Sequence, residues 1–314
     1  MTTPTIDDIQ AAADRIRPHI TRTPILTNDS LDAQTGAMLF FKCENLQKAG
    51  AFKARGATNT VLLLRESGGA KHVTTHSSGN HGAAVAMAAQ AQQMPATIVM
   101  PRTAPAIKQA NVARYGAEIV LCEPTLQARE DTAAQVIAEK NAILIHPYND
   151  TRVIAGQGTA ALEILDAAPD LDCVITPVGG GGLLSGTALT MSALAPHIRV
   201  IGAEPERADD AYRSLQAGHL IPSVNPDTIA DGLLTSLGDL TFPIIQRHVA
   251  QIITVSEAQI IDAMRLIWDR LKIIVEPSGA VPLAVVLNHA EQFQGKRVAL
   301  VLTGGNVDLE RLPF

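Results

Sequence analysis

The sequence predicts an α/β protein of two lobes, each a largely parallel sheet flanked by helices. Three observations carry this. Short apolar runs rich in β-branched residues alternate with amphipathic stretches along the whole chain. Glycine-rich turns follow several of those runs, where open α/β sheets place ligands. At 314 residues the chain also exceeds the size at which one core keeps growing.

Strands are expected at 39–42, 71–75, 97–100, 118–121, 142–145, 172–176, 198–203, 251–255 and 298–302. Helices are expected at 79–93, 104–115, 125–140, 153–168, 183–195, 256–271 and 278–290, as parallel crossovers require. Thr5 and Asp8 form a capping-box pair that starts a first helix. A polar break near Glu66–Gly69 precedes four short β/α units, so residues 71–147 are expected to form a small domain. Residues 1–70 and 148–314 are expected to form the large one, with the active site in the cleft between them.

The chain is 46% hydrophobic and 18% charged, with net charge −6, far from the signature of disorder. Neither a basic footprint nor stacking aromatics offer themselves to nucleic acid, aromatics being 3%. No apolar run reaches the ~18 residues of a membrane span, and the start lacks signal-peptide character, so a cytoplasmic protein is expected. Cys43, Cys122 and Cys173 lack zinc-like spacing and read as buried small residues.

Five segments carry chemistry. Gly179-Gly180-Gly181-Gly182 joins an apolar strand to a helix, where close backbone approach and the positive helix end favour an anion. It is not a nucleotide P-loop, because Thr187 stands where the lysine should be. Ala51-Phe52-Lys53-Ala54-Arg55-Gly56 contains a lysine whose apolar neighbours would lower its pKa, although alone it reads more readily as an ordinary solvated lysine, with Phe52 simply core. Ser77-Ser78-Gly79-Asn80-His81-Gly82 ends a strand and gathers donors for a carboxylate, or simply caps a helix. Thr303-Gly304-Gly305-Asn306 follows the last strand, as a ligand loop or an ordinary glycine turn. The acidic run from Glu204 to Asp210 suits a hard divalent cation or is a solvated turn.

Together, in this order and over nearly the whole chain, these segments resemble fold-type II pyridoxal-phosphate enzymes of the tryptophan synthase β-like fold. The likeness is to the serine racemase, threonine dehydratase and 3-hydroxyaspartate dehydratase branch. The resemblance implies that Lys53 holds pyridoxal 5'-phosphate as a Schiff base and serves as base for the α-proton. It implies that Phe52 packs on the ring, Asn80 bonds its phenolic oxygen, Gly179–Gly182 hold the phosphate and Thr303 meets the pyridine nitrogen. Ser77, Ser78, Gly79, Asn80 and His81 would surround the substrate carboxylate. Glu204, the Ala208 carbonyl and Asp210 would bind Mg²⁺, Ca²⁺ or Mn²⁺. A hydroxyl at Thr303 cannot keep the ring nitrogen protonated as an aspartate would, which favours elimination over transamination.

Ser78 is the residue that racemase-like members share where biosynthetic threonine dehydratases usually have alanine, and it would serve the face opposite Lys53. Arg129 stands at a family position suited to a second carboxylate, as in 3-hydroxyaspartate, and otherwise reads as a surface arginine. Ala83 replaces a glutamine that helps bind a nucleotide activator in animal serine racemases, so ATP control is not expected. A C-terminal regulatory domain is likewise not expected after Asp308. The expected function is a dehydratase, or ammonia-lyase, acting on 3-hydroxyaspartate, L-serine or L-threonine, working as a homodimer. A serine racemase with dehydratase side activity is the alternative, while a β-replacement synthase and a non-catalytic cofactor-binding protein fit the residues less well.

Overall fold

A computed structural model of the chain describes residues 3–69, 71–77, 79–104 and 106–314. It opens with helix α1 (Ile6–Ile16), strand β1 (Ile25–Leu26), helix α2 (Asp29–Thr35), strand β2 (Met38–Lys42) and helix α3 (Lys53–Glu66). Then come β3 (Val73–His76), α4 (Asn80–Ala91), β4 (Ala96–Pro101), α5 (Ala106–Ala113), β5 (Glu118–Cys122), α6 (Leu126–Lys140) and β6 (Ile143–Leu144). Next are α7 (Thr151–Ala167), β7 (Cys173–Pro177), α8 (Gly182–Leu194), β8 (Arg199–Pro205), α9 (Asp210–Ala217) and α10 (Thr241–His248). The chain closes with β9 (Gln251–Val255), α11 (Glu257–Leu266), α12 (Pro277–Asn288), α13 (Ala290–Phe293) and β10 (Arg297–Val301).

Two sheets result. One has the order β1-β2-β10-β7-β8-β9, with β1 alone running antiparallel to its neighbour, and the other is the all-parallel β5-β4-β3-β6. All strands of the second sheet fall within 71–147, the stretch we propose as the small domain. The last strand, β10, inserts between β2 and β7. The segments that follow these three neighbours therefore leave the sheet along one edge, and they contain Lys53, Thr303 and Gly179–Gly182.

The expected Thr5–Asp8 capping box is present, each residue accepting from the backbone N–H of the other, and it orients Ile9, Ala12 and Ile16 into the core. The stretch expected as one helix over 256–271 ends as α-helix at Leu266 and continues as a π-helical turn, Ile267–Leu271. Helix α3 is not apparent from the pattern, and burial explains why. Ala54 to Leu62 are all buried, polar Arg55 and Asn59 included, so the segment has no solvent face and no apolar periodicity to display. Helices α2, α9 and α10 are two turns long and give equally little signal. A Cβ on Gly156 of α7 would come within 2.6 Å of the Gly56 Cα, so glycines set how closely α3 and α7 approach.

Arg55 lies at the centre of a buried charge network. Its guanidinium donates to both Glu44 oxygens at 2.7 Å, to Glu163 at 2.7 and 2.8 Å, and to the Thr159 hydroxyl at 3.1 Å. Lys42 joins through Glu163 at 2.6 Å and the Thr23 carbonyl at 2.7 Å. Burial opposes the Arg55 charge, but Glu44 and Glu163 outweigh it and raise its pKa. The three cysteines are buried and unpaired, and burial pushes the Cys43 thiol up to about 12. Among the described residues no helix is long and apolar enough to cross a membrane. Replacing Arg55 with alanine is expected to lower the unfolding free energy by about 3–5 kcal/mol in urea titration, because two buried carboxylates lose their main partner.

Candidate active site

Segments following strands of both sheets line one cavity of about 160 Å³. Phe52, Lys53, Ser77, Gly79, Asn80, His81, Arg129, Gly179–Gly182 and Thr303 all reach it. Ser78 lies outside the described residues. Glu204, near the end of β8, and Ala208 and Asp210, which follow it, are not among the lining residues.

Lys53 is the first residue of α3. Its entry is fixed by the last strand's loop: the Phe52 N–H donates to the Thr303 carbonyl at 3.0 Å, and Ala51 bridges Gly304. The Lys53 ammonium donates to the Pro147 carbonyl at 2.8 Å and lies 5.1 Å from the centre of the Phe52 ring. Burial lowers its pKa to about 8, so an appreciable fraction is free amine near neutrality.

The four glycines connect β7 to α8. Gly181 is left-handed, at φ 87°, and the Thr241 hydroxyl donates to the Gly180 carbonyl at 2.8 Å. A side chain on Gly180 would run into the Tyr148 ring. The first turn of a 13-residue helix thus borders the cavity with its N–H groups free of intrahelical partners. Thr303 is buried, and among the described residues its hydroxyl has no hydrogen-bond partner. A buried orphan hydroxyl, a glycine cradle at a helix start and a depressed lysine fit a phosphate-bearing heteroaromatic aldehyde.

Asn80 begins α4, donating to Glu276 Oε1 at 2.6 Å and accepting from Asn306 at 2.9 Å. The Ser77 hydroxyl accepts from the Gly79 N–H at 3.2 Å. His81 is buried and neutral, its pKa driven well below the usual value by burial. Its Nε2–H donates to the Ile145 carbonyl at 3.1 Å, leaving Nδ1 unprotonated. The Arg129 guanidinium, on α6, makes one long contact of 3.4 Å to the Thr125 carbonyl.

Glu204 accepts from the N–H groups of Ala211 and Tyr212 at 2.9 and 2.8 Å, while Asp210 accepts from Leu237 at 3.2 Å. Asp210 Oδ1 is buried without a partner among the described residues. Burial above all pushes Glu204 up to about 9 and Asp210 to about 6. No group of three acidic, histidine or cysteine side chains converges as a metal site among the described residues. The available donors are two carboxylates and a carbonyl.

The sequence reading missed several lining residues: His76, Lys108, Pro147, Tyr148, Asp231 and Glu276. Lys108 of α5 pairs with Asp231, and buried Glu276 has its carboxyl raised by burial. Position after a strand would have found Tyr148, since His146–Asn149 follows β6 as the other site loops follow theirs. Lys108, Asp231 and Glu276 carry no comparable signal.

Residues 16–304 match the family described as pyridoxal-phosphate dependent enzyme. The chain is 56% identical over 311 residues to a beta-hydroxyaspartate dehydratase of Paracoccus denitrificans, covering 99% of each. It is 50% identical over 309 residues to a serine racemase of Arabidopsis thaliana, covering 97% of this chain and 93% of the relative. The structure of maize serine racemase superposes with a TM-score of 0.96 at 45% identity, over 98% of this chain and 95% of that one.

In the unliganded protein, acylation of Lys53 followed by peptide mapping is expected to reach half its limiting rate near pH 8. A midpoint near the ~10.4 of a solvated lysine would show that burial does not act on it.

Proposed function

Because this chain belongs to the family of pyridoxal-phosphate dependent enzymes, we propose that it is a dehydratase and ammonia-lyase of small β-hydroxy amino acids, with 3-hydroxyaspartate preferred. The observation that carries this is the single cavity that unites Lys53, the glycine cradle and Arg129. Lys53 would hold the cofactor covalently, Gly179–Gly182 and the α8 N-terminus its phosphate, Thr303 its ring nitrogen and Asn80 its phenolic oxygen, with Phe52 against the ring. When bound, pyridoxal phosphate supplies the electron sink that acidifies the substrate α-carbon.

The remaining work falls to the chain. Ser77, Gly79, Asn80 and His81 border the α-carboxylate, and Arg129 pairs with the second carboxylate. The Lys53 amine, kept partly unprotonated by burial, takes the α-proton. The β-hydroxyl leaves as water, the proton taken from the α-carbon balancing the one it gains, and hydrolysis of the resulting enamine gives a 2-oxo acid and ammonia. Ser78 is assigned to the opposite face of the α-carbon, where a second acid/base group would permit racemisation. The likeness to a serine racemase keeps that second reading open.

A divalent cation, Mg²⁺ with Ca²⁺ or Mn²⁺ as alternatives, is assigned to Glu204, Asp210 and the Ala208 carbonyl, supported by the unpartnered buried Asp210 oxygen. A homodimer belongs to the same reading, supported by exposed apolar Leu46 and Ile274, adjacent through the Asn45–Ile274 hydrogen bond. Three unpaired cysteines suit a reducing compartment and, with it, the cytoplasm.

Incubation with L-serine, L-threonine and the threo and erythro isomers of L-3-hydroxyaspartate tests the assignment. Release of 2-oxo acid is expected fastest from a hydroxyaspartate, and accumulation of D-enantiomers without it would mean an isomerase. Arg129→Leu is expected to raise KM for hydroxyaspartate about 10- to 100-fold, the loss of one charge-assisted hydrogen bond, with serine kinetics little changed. Mg²⁺ is expected to raise the Tm and EDTA to lower it, with Asp210→Asn abolishing the difference; a Tm indifferent to both would remove the cation from the reading.

A further inference from the structure

We infer that His146 is a positioning residue for Lys53, acting through the backbone turn that presents the Pro147 carbonyl to the lysine. The inference rests on the reading of Lys53 as the base. That carbonyl is the acceptor of the Lys53 Nζ hydrogen bond, at 2.8 Å. A neutral amine that donates one hydrogen to a fixed carbonyl keeps its lone pair free and has its direction set. Where the carbonyl points therefore decides where the free lysine points.

The turn has no helix or strand of its own, and side chains hold it. On one side, Asn149 accepts from the Leu240 N–H at 3.0 Å and donates to Asp239 at 2.6 Å, and Asp150 caps α7. On the other, the His146 ring folds over the turn. Its Nδ1 accepts from the Asn149 N–H at 2.9 Å and more distantly from the Tyr148 N–H at 3.4 Å. The ring meets Tyr148 edge to face at 4.6 Å, and Tyr148 lies against Gly180. One imidazole thus ties together the lysine's acceptor and the residue that backs the glycine loop.

The acceptor role requires an unprotonated Nδ1. Burial first, then the neighbouring His76, 5.9 Å away edge to face, and Lys53 keep the ring neutral by lowering it to about 4. The proton of the neutral ring is then on Nε2. Packing alone would be served as well by leucine, whereas holding the turn needs an acceptor in the place of Nδ1. Asparagine offers one through its side-chain oxygen.

The test compares His146→Leu and His146→Asn with wild-type holoenzyme, using kcat, KM and the isotope effect from α-deuterated substrate. His146→Leu is expected to lower kcat about 10- to 100-fold, as a displaced base would, with KM nearly constant and a larger isotope effect as proton transfer becomes slower. His146→Asn is expected to recover most of the loss. Wild-type kinetics in His146→Leu, or equal loss in both variants, would overturn the inference. Nitrogen-15 NMR of wild-type holoenzyme tests it without a variant: the Nε2–H tautomer is expected, and an Nδ1–H tautomer overturns it. Lys53→Ala run in parallel separates the two readings, because turnover surviving there would overturn the base assignment itself.

Discussion

Arg55 uses all five of its N–H donors inside the protein, on Glu44, Glu163 and Thr159. Taking such charges out of water costs several kcal/mol each, and only near-complete hydrogen bonding offsets it. Two acids and two bases, Glu44, Glu163, Lys42 and Arg55, meet that condition together. Arg55 is two residues beyond Lys53 on α3, so the network that tethers Arg55 to the turn after β2 and to α7 also sets where the lysine begins. Helix α3 carries Ala57, Val61 and Leu64 into the core around β3 and α4, so the same tether relates the two sheets.

Strand order does the rest. Because β10 lies between β2 and β7, the Thr303 loop hydrogen-bonds to Phe52 while the glycine turn leaves the neighbouring strand. The groups we propose to meet one flat cofactor, a lysine, a hydroxyl and a phosphate cradle, are thus delivered from adjacent parallel strand ends, where backbone groups point out of the sheet. Beside the charged Lys108–Asp231 pair, burial shifts three of the ionisable groups around them toward their uncharged forms: His81 and His146 are kept neutral, and Lys53 is brought nearer its free amine. Such an environment favours a proton-accepting lysine over a solvated ammonium.

Much of this was readable along the chain. The alternation of apolar runs and amphipathic stretches is a local property, so nine of the strands and the long crossover helices lie within a few residues of expectation. The four-glycine turn announced a place where no side chain fits, and the Tyr148 ring beside Gly180 is a physical reason. The two-residue strand β1 left no trace, because Ile25-Leu26 is flanked by polar residues and proline where β6 lies in the apolar run Ala142–Ile145, and α3 left none because its buried faces mix Arg55, Thr58, Asn59 and Thr60 with apolar residues.

Periodicity, capping and glycine spacing depend on neighbours a few positions apart, and these the sequence dictates. Tertiary packing alone decided that β10 enters the middle of its sheet, that Asn306 reaches Asn80 across 226 residues, and that Pro147 accepts from Lys53 across 94. Such contacts have no local signature. Each pairs a buried donor with an acceptor far away in the chain, and such partners meet only once the whole chain is packed.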